Sequence, residues 1–410
     1  MQPLGPYLDR KRRELSLLNG CRPAPFDPSD RQSVIAAIEE KFRVAASLKA
    51  DQLLTHWSIT ETARPPAQWQ RADPFGFNFG YQRADLEVRG PPIYKRLEAL
   101  CSGCSKSTVY TGAGMSAIGA LIMASLQLND VVDILAPADC YVETRELLAS
   151  FGSRIRTIPL LENRCGNLAK TPAARILWLD SSVRSSFYSS VRAITREIEL
   201  VAFDTTCFWR DSSKIASTVQ YALRLGIPIA LVRSHTKLDS LGIEYGRLGS
   251  LVVITPLPAS VAHRSRWTSD LIPRIRDAVR LFGAAPTLAN FAPFEGNAGY
   301  RACSMARTTS IIRNTRLLAR ALRSRLPLAK LTTFQHGLYL IIAVRRDSAV
   351  EEVRRTAGEI AMHVASSGLP VRHAGSFGFD FVALDWCVDP IDRTNSIRRY
   401  EMSLTSRVAA

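Results

Sequence analysis

Short apolar runs and amphipathic stretches alternate along residues 93–255 of the chain. Short apolar runs are typical of buried strands, whereas apolar residues spaced three or four positions apart are typical of helices. The runs predict strands at 107–110, 131–135, 155–158, 176–179, 200–203, 229–232 and 251–254, and the amphipathic stretches predict helices at 93–100, 115–126 and 141–151. This alternation predicts an α/β fold in which helices cover both faces of a mostly parallel, seven-stranded sheet.

The segments on either side of this block have a weaker pattern. Residues 1–27 show little periodicity and predict an arm, 33–54 predict a helix, and 64–92 are predicted to be irregular. After the block, the pattern predicts helices at 268–292, 308–326 and 348–366 and strands near 333, 339–342 and 397–404. The predicted organisation is an N-terminal arm with a helical extension (1–92), a large domain (93–265), a connecting helix (266–299) and a smaller C-terminal α+β domain (300–410).

Composition and the apolar runs indicate in which compartment the protein is expected. Of the 410 residues, 46% are apolar and 22% are charged, which is ordinary for a globular protein. No apolar run approaches the roughly 18 residues that a membrane span needs. The first residues also lack the apolar core of a signal peptide. We therefore predict a cytoplasmic protein without a membrane partner.

The net charge suggests nucleic acid as a partner and the cysteines suggest a metal ion, but other features of the sequence disfavour both. A net charge of +16 is compatible with nucleic acid, but nine of the 53 basic residues are lysines and the arginines are spread along the whole chain. We therefore predict that nucleic acid is not a partner. Cys101 and Cys104 form a lone C-x-x-C with no second pair nearby, so no metal site is predicted. Reduced structural thiols are the favoured interpretation, with a redox pair as the alternative.

Two polar residues follow apolar runs in a way that predicts a cofactor. Lys237 ends the sequence Ser-His-Thr-Lys at 234–237, directly after the strand predicted at 229–232, and Asp204 directly follows the strand at 200–203. In parallel sheets, ligands bind at the carboxyl ends of the strands. A lysine there can hold pyridoxal 5′-phosphate (PLP) as a Schiff base, and an aspartate can keep its pyridine nitrogen protonated. The protonated ring is the electron sink that makes the Cα–H bond of an amino acid labile.

Two further strand ends carry candidate residues. A turn with Gly112 and Gly114 opens the helix predicted at 115–126, and glycines at a helix N-terminus allow backbone N–H groups to approach an anion. Tyr141 follows the strand predicted at 131–135. Each feature is weak by itself, because many helices begin after a glycine and most tyrosines pack in cores or at rims.

Four segments taken together give a more specific signal than any single feature. Ala-Gly-Met-Ser-Ala-Ile at 113–118, Asp-Cys-Tyr at 139–141, Asp-Thr-Thr at 204–206 and Ser-His-Thr-Lys at 234–237 occur in this order. They resemble the Cys/Met-metabolism family of fold type I PLP enzymes, which includes cystathionine γ-synthase, cystathionine lyases and methionine γ-lyase. The resemblance covers roughly residues 80–410 and is most specific from 105 to 255.

The resemblance implies a role for each matching residue. Gly114 and Met115 correspond to the backbone amides that hold the cofactor phosphate, and Ser234 and Thr236 to the hydroxyls that hold it from the other side. Tyr141 corresponds to the ring that stacks on PLP and relays protons. Asp204 corresponds to the partner of the pyridine nitrogen. Lys237 corresponds to the Schiff-base lysine, which moves protons once substrate displaces it.

The resemblance also implies that neighbouring subunits share active sites. Family members place a Tyr-x-Arg from the adjacent subunit on the phosphate, and Tyr81 with Arg83 fits that pattern, with Arg89 as a rival. A homodimer or homotetramer is therefore expected. Arg247, in Gly-Arg-Leu-Gly at 246–249, resembles the phosphate-binding arginine of the related aminotransferases, and a surface charge is the alternative.

Four residues are candidates for contact with an amino-acid substrate. Ser376 lies in a segment similar to the family's Ser-Leu-Gly near the substrate carboxylate, although a plain glycine-rich turn is the alternative. Arg398 or Arg399 is then expected to bind that carboxylate in bidentate fashion. Arg184 stands where the family has an asparagine near the ring oxygen of PLP. It would contact an anionic substrate group, change the electronics of the cofactor, or lie at the surface.

The resemblance implies β- or γ-elimination, or γ-replacement, on an amino acid that carries a leaving group at Cγ or Cβ. Departures such as Val142 and Glu143, where the family usually has two glycines, favour specialised amino-acid biosynthesis. Two alternatives stay open. One is an aminotransferase or another Cα-chemistry enzyme on the same scaffold, and the other is a non-catalytic binding protein that has kept the fold.

Overall fold

The computed structural model describes residues 4–19, 31–56, 70–72, 74–78, 87–137, 140–160, 174–180, 191–243, 245–256, 267, 269–325, 330–333 and 340–343. The strands are β1 (Gln70–Ala72), β2 (Phe75–Asn78), β3 (Glu87–Arg89), β4 (Cys104–Thr111), β5 (Val132–Ala136), β6 (Ile155–Pro159), β7 (Ala174–Asp180), β8 (Leu200–Asp204), β9 (Ile229–Ser234), β10 (Gly249–Pro256), β11 (Lys330–Thr333) and β12 (Leu340–Ala343). The helices are α1 (Leu4–Asn19), α2 (Arg31–Thr55), α3 (Lys95–Leu100), α4 (Gly114–Leu128), α5 (Val142–Ser150), α6 (Ser213–Arg224), α7 (Leu271–Leu281) and α8 (Ala298–Arg325).

The chain divides into two units. One comprises Met1–Leu48 with Asn297–Ala410, and the other comprises Lys49–Gly296. The large sheet and every described candidate residue belong to the second unit. None of the helices that the structure describes combines the length and the apolar character of a membrane span.

A seven-stranded sheet forms the centre of the second unit. Its strand order is β4-β10-β9-β8-β7-β5-β6. β10 pairs antiparallel with β4 and with β9, and the other pairs are parallel. The predicted α/β fold with a mostly parallel seven-stranded sheet is therefore confirmed, and all seven predicted strands are present with bounds shifted by a few residues.

Both faces of this sheet are buried, which explains the continuous apolar runs. In β8, Val201 and Phe203 belong to the hydrophobic cluster on one face, and Leu200 and Ala202 to the cluster on the other. Because successive side chains of a strand alternate between faces, a strand covered on both sides is apolar at most positions rather than at every second one. These runs could therefore be recognised as buried strands from the sequence alone.

Helices and a small sheet cover the two faces. α4 packs against α7, and both contribute to one cluster, with Leu121 and Ile275 fully buried. The other cluster includes α6 and the antiparallel sheet β1-β2-β3, whose Phe75 and Phe77 rings lie 4.9 and 5.2 Å from the ring of Phe291. The irregular structure predicted for 64–92 thus contains three short strands. The connecting helix predicted at 268–292 is shorter, and it packs within the second unit.

The described part of the first unit contains α1, α8 and the hairpin-like pair β11 and β12. α1 contacts α8, and β11 pairs antiparallel with β12. The predicted arm over residues 1–27 is thus a packed helix from Leu4 to Asn19. Its buried residues include Arg10, Lys11 and Glu14 beside Leu15 and Leu18, so charged residues interrupt the apolar pattern that would have predicted a helix. The Glu14 carboxylate accepts hydrogen bonds from Lys11 Nζ at 3.2 Å and Lys41 Nζ at 2.5 Å.

Candidate active site

The strand ends that carry the predicted residues lie at one edge of the large sheet. β8 ends at Asp204, which is in register with Asp180 at the end of β7 and with Val232 in β9. Because β10 runs antiparallel, its first residue, Gly249, lies at the same edge, in register with Thr111 at the end of β4 and with Ser234 at the end of β9. The carboxyl ends of β4, β5, β7, β8 and β9 therefore lie at the same edge of the sheet.

The glycine turn brings the N-terminus of α4 against the end of β9. A Cβ added to Gly114 would lie 2.7 Å from Ser234 Cβ, so the absence of a side chain permits this approach. A Cβ added to Gly249 would lie 2.2 Å from the carbonyl oxygen of Ala113, so β10 also needs glycine here. The first amides of α4, including that of Met115, have no acceptor within the helix. Backbone donors and the Ser234 side chain thus lie side by side, an arrangement suited to an anion.

Asp204 and Asp180 form a pair of buried carboxylates. Asp204 is 8% exposed and Asp180 is 2% exposed. Asp204 Oδ1 accepts a hydrogen bond of 2.9 Å from the backbone N–H of Thr206. Burial, followed by the charge of Asp180, raises the pKa of Asp204 to about 7. Both effects disfavour the ionised form, so this position favours a positively charged partner for Asp204.

Asp180 also holds Tyr141. The backbone N–H of Tyr141 donates a hydrogen bond of 2.8 Å to Asp180 Oδ2, and the half-buried Tyr141 is the N-cap residue directly before α5. Asp180 was not among the site residues predicted from the sequence. An acidic residue directly after the apolar run 176–179 was the available signal, and it is the same signal that identified Asp204.

We expect Asp180→Asn to stabilise the cofactor-free protein at neutral pH. Since the raised pKa of Asp204 means that the folded state binds the extra proton between about pH 4 and 7, the free energy of unfolding falls as the pH rises through this range. Asparagine removes the neighbouring charge and can still accept from Tyr141 N–H. If the pKa of Asp204 then falls by one pH unit, the free energy of unfolding at neutral pH rises by about 1.4 kcal/mol. Urea unfolding should show a larger gain over the wild type at pH 7.5 than at pH 5, and an equal gain would contradict the coupling.

The loop that carries Lys237 is held by hydrogen bonds on both sides of the lysine. Before it, the His235 backbone N–H donates to Leu248 O at 2.8 Å, and Thr236 Oγ1 donates to Gly246 O at 3.3 Å. After it, Ser240 Oγ donates to Thr236 O at 2.7 Å. Lys237 itself is half-buried. The loop is thus a defined structure that presents its lysine at the edge of the sheet.

A buried guanidinium lies beneath this loop. Arg233 is fully buried, and its Nε and Nη2 donate to Asp239 Oδ2 and Oδ1 at 2.6 and 2.8 Å. Its Nη1 donates to the carbonyl oxygens of Thr205 and Phe208 at 2.7 and 2.9 Å. One side chain therefore contacts both the segment after Lys237 and the segment after Asp204.

His235 completes this buried network as a neutral ring. Its Nδ1 lies 2.9 Å from Asp239 Oδ2, and its Nε2 lies 2.8 Å from Ser250 Oγ. Burial lowers the pKa of His235, whereas Arg210 and Arg233, acting against burial, hold the pKa of Asp239 well below its usual value. Because the ionised carboxylate can only accept, a proton on Nδ1 satisfies Asp239 and leaves Nε2 to accept from Ser250; Arg210 Nη2, 3.2 Å from Nδ1, then makes no hydrogen bond to the ring. His235 was not itself a predicted site residue, although the residues on either side of it were.

The structure thus brings together most of the predicted residues that it describes. At one edge of the sheet lie Gly114, Met115, Tyr141, Asp204, Ser234, Thr236 and Lys237. Arg247 is exposed and lies two residues before β10 at the same edge. The other predicted site residues lie outside the described residues, namely Tyr81, Arg83, Arg184, Ser376, Arg398 and Arg399. Within the described part of the chain, no group of three or more His, Cys, Asp or Glu side chains is arranged to hold a metal ion.

Comparisons with known proteins identify the fold. No protein-family model and no curated protein matches this sequence. Among solved structures, α-aminoadipate aminotransferase LysN of Thermus thermophilus, complexed with N-(5′-phosphopyridoxyl)-L-leucine, has a TM-score of 0.52 at 14% identity and covers 88% of this chain and 87% of its own. The chain has the fold of the type I PLP-dependent enzymes.

Two further matches have lower scores. Aromatic-amino-acid aminotransferase of Burkholderia pseudomallei, covalently bound to pyridoxal phosphate, is 14% identical with a TM-score of 0.49 and covers 95% of this chain and 99% of its own. The cystathionine γ-lyase CalE6 of Micromonospora echinospora is 18% identical with a TM-score of 0.38 and covers 66% of this chain and 64% of its own.

Proposed function

We propose that this chain binds PLP covalently through Lys237 Nζ and acts on the Cα–H bond of an amino acid. The observation that carries this proposal is the convergence of three features at one edge of the sheet. They are the N-terminus of α4 against Ser234, the structured loop that bears Lys237, and the buried Asp204. An anion-binding end, a lysine and a carboxylate correspond to the phosphate, the aldehyde and the ring nitrogen of PLP.

The electrostatics of Asp204 support this cofactor. A carboxyl group with a pKa raised to about 7 by burial and by Asp180 is stabilised as an anion when a cation is placed beside it. A protonated pyridine nitrogen would supply that positive charge, and Asp204 would in turn keep the nitrogen protonated. PLP contributes the electron sink for the charge that develops at Cα.

The protein side chains then have distinct tasks. Lys237 Nζ would hold the cofactor and would take the proton from Cα of the bound amino acid. Tyr141 would contact the cofactor ring and relay protons, and Asp180 fixes the backbone of Tyr141 through its 2.8 Å hydrogen bond. Ser234, Thr236 and the first amides of α4 hold the phosphate.

For the overall reaction, we propose β- or γ-elimination or γ-replacement on an amino acid with a leaving group at Cγ or Cβ. The order and spacing of the four segments that resemble the Cys/Met-metabolism family support this choice. Transamination is the second candidate, because LysN is an aminotransferase with the same fold. In addition, Arg247, in a segment that resembles the phosphate-binding arginine segment of aminotransferases, lies at the same edge of the sheet.

Product analysis separates the two reactions. Purified protein supplied with PLP would be incubated with a panel of γ-substituted amino acids and analysed by mass spectrometry, with and without a 2-oxo acid acceptor. Elimination is expected to yield a 2-oxo acid and ammonia without the acceptor. Product formation that depends strictly on the acceptor would establish transamination instead. The absence of turnover of every substrate under both conditions would favour a non-catalytic binding protein.

A further inference from the structure

Arg233 occupies a position between the two residues that the proposed chemistry needs most. It lies one residue before the end of β9, and its guanidinium forms a bidentate ion pair with Asp239. Because Asp239 lies two residues after Lys237, this ion pair closes the loop 234–238 at its base. The loop cannot open or shift without breaking two hydrogen bonds of 2.6 and 2.8 Å in a fully buried environment.

The remaining donor of Arg233 contacts a different part of the site. Nη1 donates to Thr205 O and Phe208 O, which belong to the segment directly after Asp204. This segment is also joined to β9 by the hydrogen bond from Ser234 N–H to Thr206 Oγ1 at 3.0 Å. The same rigid guanidinium thus connects the loop of Lys237 with the loop of Asp204.

We propose that Arg233 is a positioning residue that fixes Lys237 relative to Asp204, an inference that rests on the proposed PLP chemistry. The aldehyde carbon and the ring nitrogen of PLP are separated by a fixed distance. A site that binds both ends must therefore present its lysine and its carboxylate at a fixed separation. Displacement of a reacting group by about 1 Å can cost roughly 10²-fold in rate.

Neighbouring residues hold Asp239 in the orientation that Arg233 needs. Arg210 Nε lies 3.0 Å from Asp239 Oδ1, and Arg210 Nη1 forms an ion pair with Glu295. His235 binds the same carboxylate as a neutral ring. Two guanidiniums therefore face two carboxylates within these described residues. A buried ion pair is weak support for stability by itself, and the contacts of this cluster fit a role in fixing the position of Asp239.

Arginine is required because lysine cannot make these contacts simultaneously. A guanidinium has five N–H donors in a planar fork, whereas an ammonium is a point charge on a flexible chain. Arg233→Lys keeps the charge and should leave Asp239 paired, but it removes the fork that joins the two loops. The substitution thus tests position separately from charge.

The test compares Arg233→Lys with Arg156→Lys. Arg156 forms an ion pair with Asp133 at 2.6 Å near the start of β5, at the opposite edge of the sheet. Each protein would be loaded with PLP and examined for visible circular dichroism per bound cofactor, for attachment to Lys237 after borohydride reduction, and for kcat. For Arg233→Lys we expect at least about a twofold loss of visible circular dichroism and roughly a 10²-fold loss of kcat. Arg156→Lys should match the wild type in all three.

The outcomes are distinguishable. A purely structural role for Arg233 would lower the melting temperature but leave the circular dichroism per bound cofactor and the kcat of the folded protein unchanged, which would overturn the proposal. If Arg233→Lys does not fold, Asp239→Asn breaks the same ion pair with a near-isosteric side chain, and the same losses are expected. If the wild type itself shows no PLP on Lys237, the proposed function fails rather than the role of Arg233.

Discussion

Replacing Lys237 with alanine is expected to abolish covalent attachment of PLP and to lower turnover by about 10⁴-fold, the upper range for loss of a general acid–base group. Lys237 is the residue on which both the tether and the proton transfer at Cα depend. The hydrogen bonds that shape its loop come from His235, Thr236 and Ser240, so the loop should keep its structure without the lysine side chain. Borohydride reduction followed by peptide mass spectrometry measures the attachment directly.

Lys106→Ala provides the matched control for this substitution. Lys106 lies in β4 and forms a 2.9 Å ion pair with Glu98 at the surface, away from the strand ends that carry the site. It should retain the label on Lys237 and the turnover of the wild type. Stoichiometric labelling of Lys237→Ala at another lysine, together with retained activity, would contradict the assignment of the tether.

The strands and the edge of the sheet that carries the site could be predicted from the sequence, because burial of the sheet on both faces produces apolar runs that end in polar residues. A strand buried on both faces is mostly apolar, and a polar residue that has no partner within the sheet is best accommodated where the strand ends. Asp204 at the end of β8 and Lys237 after β9 were identifiable for this reason. The antiparallel direction of β10 could not be predicted from the sequence, because a buried strand has the same composition whichever way it runs.

Other parts of the site depend on contacts that a linear pattern does not record. The ion pair between Arg233 and Asp239 joins residues on the two sides of Lys237, and in the sequence both look like ordinary surface charges. Asp180 matters because its strand lies beside β8, which is known only once the strand order is known. Helix α1 was missed for a related reason, since its buried side includes Glu14 and two neighbouring basic residues.

Cofactor binding and folding stability place different demands on the residues of this site. Asp204 is costly to keep ionised because it is buried and because Asp180 carries a like charge nearby, while its proposed cofactor partner needs that carboxylate. The network around Arg233, in contrast, is internally paired. Residues that contact the cofactor are therefore expected to trade stability for activity, whereas residues that position the loops are expected to support both.

Replacing Asp204 with asparagine is expected to change activity and stability in opposite directions. An amide cannot stabilise a protonated ring nitrogen, so turnover should fall by roughly 10²- to 10³-fold, the cost of removing one electrostatic stabiliser from an enclosed site. The cofactor-free protein should gain more stability at pH 8 than at pH 5. The carboxyl group has a pKa of about 7 when folded, above its ordinary value of 3.8, so its ionisation opposes folding only as the pH rises.

Asp133→Asn is the contrasting control for this experiment. Asp133 is 2% exposed and pairs with Arg156 near the start of β5, far along the strand from the site. Its substitution should lower the melting temperature and leave turnover per folded protein unchanged. Thermal unfolding at the two pH values and steady-state kinetics measure both effects. If Asp204→Asn lowers activity and stability together at pH 8, Asp204 holds the fold, and its proposed role at the ring nitrogen has to be abandoned.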